Sequence, residues 1–189
     1  MYSLYNKMQS SQGYLELIIG PMFSGKTSRL IEIYKQCKFC NIPTVVINHS
    51  IDTRYDEHLL SSHDKVMIPC IQTANLITIL DNEDVRTAQV ILINEGQFFD
   101  DLYSCVLMWL KENKTIYICG LDGDFQRKKF GQIIDLVPLC DKIEKLTSLC
   151  STCKNGTPGI FSKRISKEIE QTIIGSYNYI PVCRSCYNL

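Results

Sequence analysis

The sequence has no long hydrophobic run, no long run of one charge, and no internal repeat or low-complexity segment. Its apolar stretches fall well short of the roughly 20 residues that a transmembrane helix needs, and its first residues contain no apolar segment of the signal-peptide type. Twenty basic and twenty acidic residues give a formal net charge of +0, which argues against a broad electrostatic contact with nucleic acid. We therefore expect a cytoplasmic protein that binds neither membranes nor nucleic acid.

The composition is that of a folded domain with unusually many cysteines. Apolar residues make up 45% of the 189 residues, enough for one full domain and a small appendage. The chain contains 10 cysteines, and a reducing cytosol keeps these as thiols unless a metal binds them. Cys70, Cys105, Cys119 and Cys140 are single and lie among apolar residues, which favours small buried side chains.

Short apolar runs alternate with helical periodicity along most of the chain. Strands are predicted at 14–19, 44–48, 90–94 and 115–120, with a fifth within 143–149. Helical spacing continues from Gly25 to about Phe39, and a second helix is predicted through Trp109, capped by Asp100 or Asp101. The polar residues 49–65 are predicted to form a loop, and 77–80 a short helix. This alternation predicts an α/β fold with a mainly parallel sheet and a ligand at the carboxyl ends of its strands.

A glycine-rich loop follows the first predicted strand and opens the first predicted helix. The motif GPMFSGKT matches G-x-x-x-x-G-K-[ST] and comprises Gly20, Pro21, Met22, Phe23, Ser24, Gly25, Lys26 and Thr27. Its glycines let successive N–H groups surround a phosphate at a helix N-terminus. Lys26 can reach the β- and γ-phosphates, and the Thr27 hydroxyl can bind Mg²⁺. The loop therefore predicts a nucleoside triphosphate as ligand.

Two C-x-x-C pairs near the C-terminus predict a metal site. Cys150 and Cys153 form one pair and Cys183 and Cys186 the other, and four thiolates suit a tetrahedral Zn²⁺ ion. Four protein ligands leave no open position on the ion, so the expected role is structural. A third pair, Cys37 and Cys40, has no obvious partner pair, and a metal role there is the less favoured interpretation.

Further motifs resemble one enzyme family. GPMFSGKT, DTRY at 52–55, SHD at 62–64, EGQFF at 95–99, LDGDFQRKKFG at 121–131 and VCRSCY at 182–187 follow the order seen in type II thymidine kinases, the cellular and poxvirus-like enzymes. The similarity covers nearly the whole chain after the N-terminal arm, and the last three motifs are far more specific than the phosphate loop.

The resemblance implies a fold, a reaction and an assembly. The fold would be a RecA-like P-loop α/β domain with a small zinc-binding lasso domain; we divide the chain into an arm (1–13), a kinase domain (14–147) and a zinc-binding lasso domain (148–189). The reaction would transfer the γ-phosphoryl group of ATP, with Mg²⁺, to the 5′-hydroxyl of thymidine and give dTMP for DNA precursor salvage. The resemblance also implies a homotetramer and feedback inhibition by dTTP.

The resemblance assigns roles to individual residues. Glu95 matches the catalytic glutamate, which would take the proton of the 5′-hydroxyl. ATP and phosphate contacts are assigned to the phosphate loop and to Asp52, Thr53, Arg54, Asn94 and Gln97. Thymidine contacts are assigned to Met22, Phe98, Leu121, Phe125 and Tyr179, which would give apolar walls, and to the main chain of Gln171, Thr172, Ile173, Ile174 and Gly175.

The sequence departs from the family pattern at two places. Asn94 stands where the family usually has an aspartate that helps to hold Mg²⁺, and an amide brings no negative charge. We expect activity to be retained with a higher Mg²⁺ requirement. The segment GSYNY at 175–179 is one residue shorter than the usual loop, which shifts the alignment of the lasso by about one position.

Two alternative functions come from other classes of protein. Asn94 favours a catalytically weak or silent NTP-binding regulator whose zinc module recruits a partner, whereas the retained Lys26, Thr27 and Glu95 favour an enzyme. A RecA-type DNA-binding ATPase with a zinc ribbon is the other alternative, and the neutral net charge and the thymine-pocket motif weigh against it.

Overall fold

A six-stranded sheet forms the centre of the molecule, which we describe from a computed structural model at residues 12–51, 59–61, 66–172 and 177–188. The strands in these ranges are β1 (Tyr14–Ile19), β2 (Thr44–His49), β3 (Leu59–Ser61), β4 (Met67–Pro69), β5 (Ile71–Thr73), β6 (Val90–Asn94), β7 (Thr115–Gly120), β8 (Lys142–Lys145), β9 (Ser148–Leu149), β10 (Pro158–Gly159), β11 (Phe161–Arg164) and β12 (Tyr179–Val182). The α-helices are α1 (Lys26–Phe39), α2 (Glu83–Thr87), α3 (Leu102–Lys111) and α4 (Arg184–Asn188), and 3₁₀-helices span Leu76–Ile79, Gly96–Phe98 and Ile133–Leu139.

The central sheet has the order β5-β2-β6-β7-β1-β8, and its neighbouring strands pair in parallel. The prediction of a mainly parallel sheet is therefore confirmed. In the register of the sheet, Asn48 lies beside Asn94 and Ile19 beside Gly120. The carboxyl ends of four strands thus meet at one edge, where a ligand of such a fold is expected.

Both faces of the sheet are buried, because its central strands are apolar on both sides. Leu15 and Leu17 of β1 pack in one core together with Trp109 of α3. Ile18 points to the other face and packs with Leu30 of α1. This two-sided burial explains why these strands appear in the sequence as near-continuous apolar runs, which is typical of parallel sheets covered by helices.

The predicted elements agree best with the structure in the central strands. The strands predicted at 14–19, 90–94 and 115–120 have the observed bounds. The predicted loop at 49–65 is wrong at β3, which pairs with β4 in a small antiparallel ribbon. The single strand expected within 143–149 is two short strands, β8 and β9, in different sheets. The sequence analysis did not find β5 or α2, which are short and interrupted by polar residues.

The residues before α1 and α3 are a glycine and an aspartate. Gly25 precedes α1, and Asp101 precedes α3 as predicted. The Asp101 side chain, however, makes no capping hydrogen bond; its Oδ2 accepts a bond of 2.8 Å from the Ile77 N–H. None of the helices in the described ranges is both long and apolar enough to cross a membrane.

A small C-terminal unit surrounds the cysteine pairs. Strands β9 and β10 form one antiparallel pair, β11 and β12 form another, and α4 follows. Its core contains Val182 and three of the cysteines, Cys150, Cys183 and Cys186, with Cys153, Phe161, Ile180 and Tyr187 packed against them. The domain boundaries at residues 13 and 147 stay predictions.

Candidate active site

The loop from Gly20 to Thr27 connects β1 to α1 at the edge where the strands end. Gly20 has a φ of 151°, and a Cβ there would lie 2.4 Å from the carbonyl oxygen of Leu146, so a side chain does not fit. Gly25 has a φ of 84° just before the helix, a conformation that glycine adopts without strain. The strand–loop–helix context that a phosphate loop needs is therefore present.

Lys26 lies over this loop with its charged end inside the curve of the backbone. Its Nζ donates a hydrogen bond of 2.6 Å to the carbonyl oxygen of Pro21 and a longer one of 3.5 Å to Ser24 Oγ. The side chain is 9% exposed. A fixed ammonium group among backbone N–H groups at a helix N-terminus can bind the phosphates of a nucleotide.

Asn94 forms the centre of an uncharged hydrogen-bond network at the end of β6. Its Nδ2 donates to Asn48 Oδ1 at 2.8 Å, and its Oδ1 accepts from Cys119 Sγ at 2.9 Å and from Thr27 Oγ1 at 3.4 Å. Burial, followed by the nearby Glu95 charge, raises the pKa of the Cys119 thiol to about 12, which keeps this donor protonated. Asn94 is 1% exposed, so an isolated charge at this position would be costly.

Glu95 turns the chain sharply out of the sheet. Its φ of 54° and ψ of 42° lie in the left-handed region, which is uncommon for a residue with a side chain. The Oε2 atom accepts a hydrogen bond of 2.7 Å from Gln97 Nε2, and Gln97 Oε1 accepts one of 3.0 Å from the Leu121 N–H. The buried Gln97 amide, 2% exposed, therefore ties the Glu95 carboxylate to the main chain after β7.

Two glycines make room for Gln97. A Cβ at Gly120 would lie 2.4 Å from Gln97 Oε1, and one at Gly131, where φ is 59°, would lie 2.0 Å from the Gln97 carbonyl oxygen. The sequence analysis assigned Gln97 to phosphate binding and gave these glycines no role. The structure shows a hydrogen bond from Gln97 to Glu95, and the assignment of Gln97 to phosphate binding stays a prediction.

One cleft brings the phosphate loop and Glu95 together. It has a volume of about 1070 Å³ including its open mouth. Of the predicted residues, it is lined by Met22, Phe23, Ser24, Gly25, Lys26, Thr27, Glu95, Gln97, Phe98, Leu121, Phe125, Gln171, Thr172 and Tyr179. The structure adds Ser28, Ile51, Gly123, Asp124, Phe130 and Ser162. Gly20, Pro21 and Asn94 support the loop and the edge of the sheet without lining the cleft, and Asp52, Thr53, Arg54, Ile173, Ile174 and Gly175 lie outside the described residues.

The C-terminal unit closes one side of this cleft. The Met22 N–H donates a hydrogen bond of 2.9 Å to Ser162 Oγ on β11, and Ser162 is 6% exposed. The Tyr187 hydroxyl, next to Cys186, donates to the Phe125 carbonyl oxygen at 2.5 Å. Neither contact was predicted from the sequence, because Ser162 lies outside the motifs and Tyr187, which ends the VCRSCY motif, had no assigned role.

The two cysteine pairs converge on one point. The sulfur atoms of Cys150, Cys153, Cys183 and Cys186 all lie within 4.8 Å of one another, and the Cys153 sulfur is 3.8 Å from that of Cys183 and 3.5 Å from that of Cys186. A tetrahedral ion with Zn–S bonds of about 2.3 Å requires sulfur separations of about 3.8 Å. The four residues therefore fit a metal ion such as zinc. Cys37 and Cys40 belong to no such cluster in the described ranges.

Comparisons with known proteins give the relationships of the chain. Residues 13–187 match the family model described as thymidine kinase. The chain is 41% identical over 186 residues to thymidine kinase 1 of Dictyostelium discoideum, covering 93% of this chain and 78% of that protein. It is 39% identical over 176 residues to the thymidine kinase of vaccinia virus (strain Ankara), covering 93% and 97%, and 40% identical over 178 residues to that of sheeppox virus (strain KS-1), covering 94% and 98%. The chain therefore belongs to the thymidine kinase family.

Proposed function

We propose that this chain transfers the γ-phosphoryl group of ATP to the 5′-hydroxyl of thymidine. One observation carries the proposal: Glu95 lines the same cleft as the loop Gly20–Thr27, and Gln97 fixes its carboxylate there. A carboxylate near a bound nucleoside can accept the hydroxyl proton as the phosphoryl group leaves ATP. The product would be dTMP, a precursor for DNA synthesis.

The loop and its surroundings would bind and orient the donor. Lys26 and the backbone N–H groups of the loop would hold the phosphates, with the helix N-terminus of α1 adding partial positive charge. Thr27 Oγ1 would bind Mg²⁺, and Asn94 Oδ1, 3.4 Å from it, would accept a hydrogen bond from a metal-bound water. The ion, when bound with ATP, neutralises charge on the phosphates.

The apolar side of the cleft suits a flat base. Met22, Phe98, Leu121, Phe125 and Tyr179 line it together, and apolar walls with a few polar groups are typical of small-molecule sites. Gln171 and Thr172 also line the cleft, and we propose that their main chain contacts the polar edge of thymine. We propose a structural Zn²⁺ ion at the four cysteines, where it would hold β11 and β12 against the base side of the cleft.

The alternative functions lack comparable support. The hypothesis of a silent NTP-binding regulator depended on Asn94 alone, and the family relationship at about 40% identity does not favour it. The hydrogen bonds of Asn94 to Thr27 and Cys119 form an ordered network, which gives no indication of a decayed site. The hypothesis of a DNA-binding ATPase gains no support from the family relationship either.

A nucleoside panel with labelled ATP and ample Mg²⁺ tests the reaction. We expect label to appear in a 5′-monophosphate with thymidine and much less with deoxycytidine or purine deoxynucleosides. Absence of labelled nucleoside monophosphate with every nucleoside would refute the enzyme proposal. Glu95→Gln should lower kcat by about 10²–10⁴-fold with thymidine binding retained. Glu112→Gln, the same change at an exposed helix end, is the matched control and should leave kcat unaltered.

The assembly and regulation proposed here follow from family membership. We propose a cytoplasmic homotetramer that dTTP inhibits, since a triphosphate tail can occupy the phosphate loop. Light scattering should give four times the 21.7 kDa chain mass, and dTTP should raise the apparent KM for ATP. A monomer by light scattering, or inhibition that ATP does not relieve, would contradict the respective part.

A further inference from the structure

The segment 165–172 has little structure of its own, although it reaches the proposed thymidine site. It connects β11 to Gln171 and Thr172, which line the cleft. The segment forms neither helix nor strand, and its side chains point largely outward, with Ile165 58% and Ile169 83% exposed. Apolar burial therefore contributes little to its position, and specific polar contacts must hold it.

Arg164, the last residue of β11, provides most of these contacts. Its Nη1 donates to the carbonyl oxygens of Glu168, at 3.0 Å, and of Glu170. Its Nη2 donates to the carbonyl oxygen of Gln171 at 3.1 Å and to the Tyr179 hydroxyl. The side chain is only 9% exposed. One guanidinium group thus binds three main-chain carbonyls of a single turn of chain, and only its fixed planar array of donors allows this.

The same guanidinium group is anchored on the walls of the cleft. Its central carbon lies 3.7 Å from the centroid of the Phe125 ring and 5.0 Å from that of Tyr179. Both aromatic residues line the cleft, and a cation over an aromatic face is attracted to it, more strongly where water is excluded. Arg164 therefore fixes the segment relative to the residues proposed to contact the base.

Asp124 makes a second connection to the segment. Its Oδ2 accepts a hydrogen bond of 2.8 Å from Gln171 Nε2, and its Oδ1 accepts bonds of 2.9 Å from the N–H groups of Gln126 and Lys128. Asp124 is 7% exposed. The carboxylate thus belongs to the rigid turn after β7 and joins that turn to the segment.

We propose that Arg164 and Asp124 are positioning residues that hold the segment 165–172 closed over the nucleoside and thereby set the affinity for thymidine. The inference rests on the proposed function, because it gives these residues a task in binding that substrate. Neither residue contacts Glu95 or the phosphate loop in the contacts described above, so the chemical step should not depend on them once the nucleoside is bound.

The expected change in the KM for thymidine follows from the fraction of molecules in which the segment 165–172 is closed. A nucleoside that binds only the closed segment has an apparent affinity reduced by the fraction of molecules that are closed. Arg164→Gln removes a charged donor of several hydrogen bonds, so we expect the KM for thymidine to rise about 10- to 100-fold. The kcat value and the KM for ATP should stay within about twofold.

Three variants and a control make the test specific. Arg164→Lys keeps the charge without the planar array and should recover only part of the affinity. Gln171→Met removes the bond to Asp124, leaves Arg164 in place, and should raise the KM for thymidine about three- to tenfold. Lys167→Gln is the control: it removes the same charge from an exposed position in the same segment and should change neither constant.

Hydrogen exchange and metal content separate this role from a general loss of structure. Without nucleoside, Arg164→Gln should speed exchange in 165–172 and leave β1, β6 and the metal content unaltered. A normal KM for thymidine with unaltered exchange in Arg164→Gln would overturn the positioning role of Arg164, and so would an equal fall of kcat and metal content. Either result leaves the proposed function intact as long as the wild type still phosphorylates thymidine. If the wild type binds no thymidine, the proposed function fails, and the affinity role of Arg164 fails with it.

Discussion

Replacement of Asn94 by aspartate tests the role proposed for this position in Mg²⁺ binding. Asn94 Oδ1 lies 3.4 Å from Thr27 Oγ1, and a group that holds a metal-bound water lies about 4–5 Å from the ion. At that distance, a unit negative charge attracts a divalent ion by about 2–4 kcal/mol for an effective dielectric constant of about 40–80. We expect Asn94→Asp to strengthen Mg²⁺ binding.

The cost of burying the carboxylate offsets part of this gain. Asn94 is 1% exposed, and its Nδ2 donates to Asn48 Oδ1, so an aspartate places an oxygen against an oxygen unless the Asn48 amide turns. A net gain of about 1.4 kcal/mol corresponds to a tenfold lower apparent Mg²⁺ constant. Without Mg²⁺, the variant should be less stable by about 1–3 kcal/mol, a fall in Tm of about 2–10 °C.

The assay is nucleotide binding and initial rate over a series of free Mg²⁺ concentrations. The matched control is Asn48→Asp, which places the same charge on the neighbouring strand, equally buried at 1% exposure but beside Asn94 instead of Thr27. We expect a clearly smaller change in the Mg²⁺ constant for Asn48→Asp. An unchanged constant in Asn94→Asp, or equal changes in both variants, would refute the reasoning.

Three further results are expected. Gln97→Leu should lower kcat about 10- to 100-fold with a smaller change in the KM for ATP, because Glu95 loses its 2.7 Å hydrogen bond to Gln97. Equal kcat values in the variant and the wild type would show that Gln97 does not orient the Glu95 carboxylate. Burial lowers the pKa of His49 from 6.5, so the unfolded chain binds a proton at this residue more readily than the folded chain does. The free energy of unfolding should therefore fall as the pH drops below about 6.5, by at most about 1.4 kcal/mol per pH unit. In His49→Gln this contribution to the pH dependence of the free energy of unfolding should vanish, and an unaltered dependence would exclude His49 as its source. Chelation should remove one metal ion per chain, lower Tm and weaken thymidine binding, because Tyr187 and Ser162 connect the C-terminal unit to the cleft. A metal-free chain with normal thymidine affinity would contradict this connection between the metal site and the cleft.

The sequence predicted the parts of the fold that follow from local patterns. The central strands carry continuous apolar residues, and the phosphate loop follows β1 at once, so the sheet, the loop and the edge where ligands bind were all predictable. The cysteine spacing predicted the cluster in the same way. Short polar elements such as β5 and α2 were missed, because their stability comes from neighbours in space and leaves no periodicity of their own.

The network around the site was less predictable than its motif residues. Cys119 was interpreted as a small buried side chain, which it is, but its thiol also donates to Asn94. Arg164 belongs to none of the motifs, and Asp124 lies in the motif at 121–131 but had no assigned role. Their contacts join residues that are distant in sequence; the bond from Gln171 to Asp124 spans 47 positions. Pairings of this kind depend on how the small unit packs on the sheet, which no local pattern encodes.

Asn94 and Glu95 are adjacent in sequence, but the side-chain hydrogen bonds described for them have different partners. Asn94 bonds to Asn48, Cys119 and Thr27 at the edge of the sheet, whereas Glu95 turns away at a φ of 54° and bonds to Gln97. In the proposed function, the left-handed turn at Glu95 would therefore separate Mg²⁺ binding from proton transfer. The effect of Asn94→Asp on Mg²⁺ binding should consequently be the same with or without Gln97→Leu, and the effect of Gln97→Leu on kcat the same with or without Asn94→Asp, each to within about 0.5 kcal/mol. A larger coupling would mean that the two side chains act on one shared group, and the division of roles between them would be wrong.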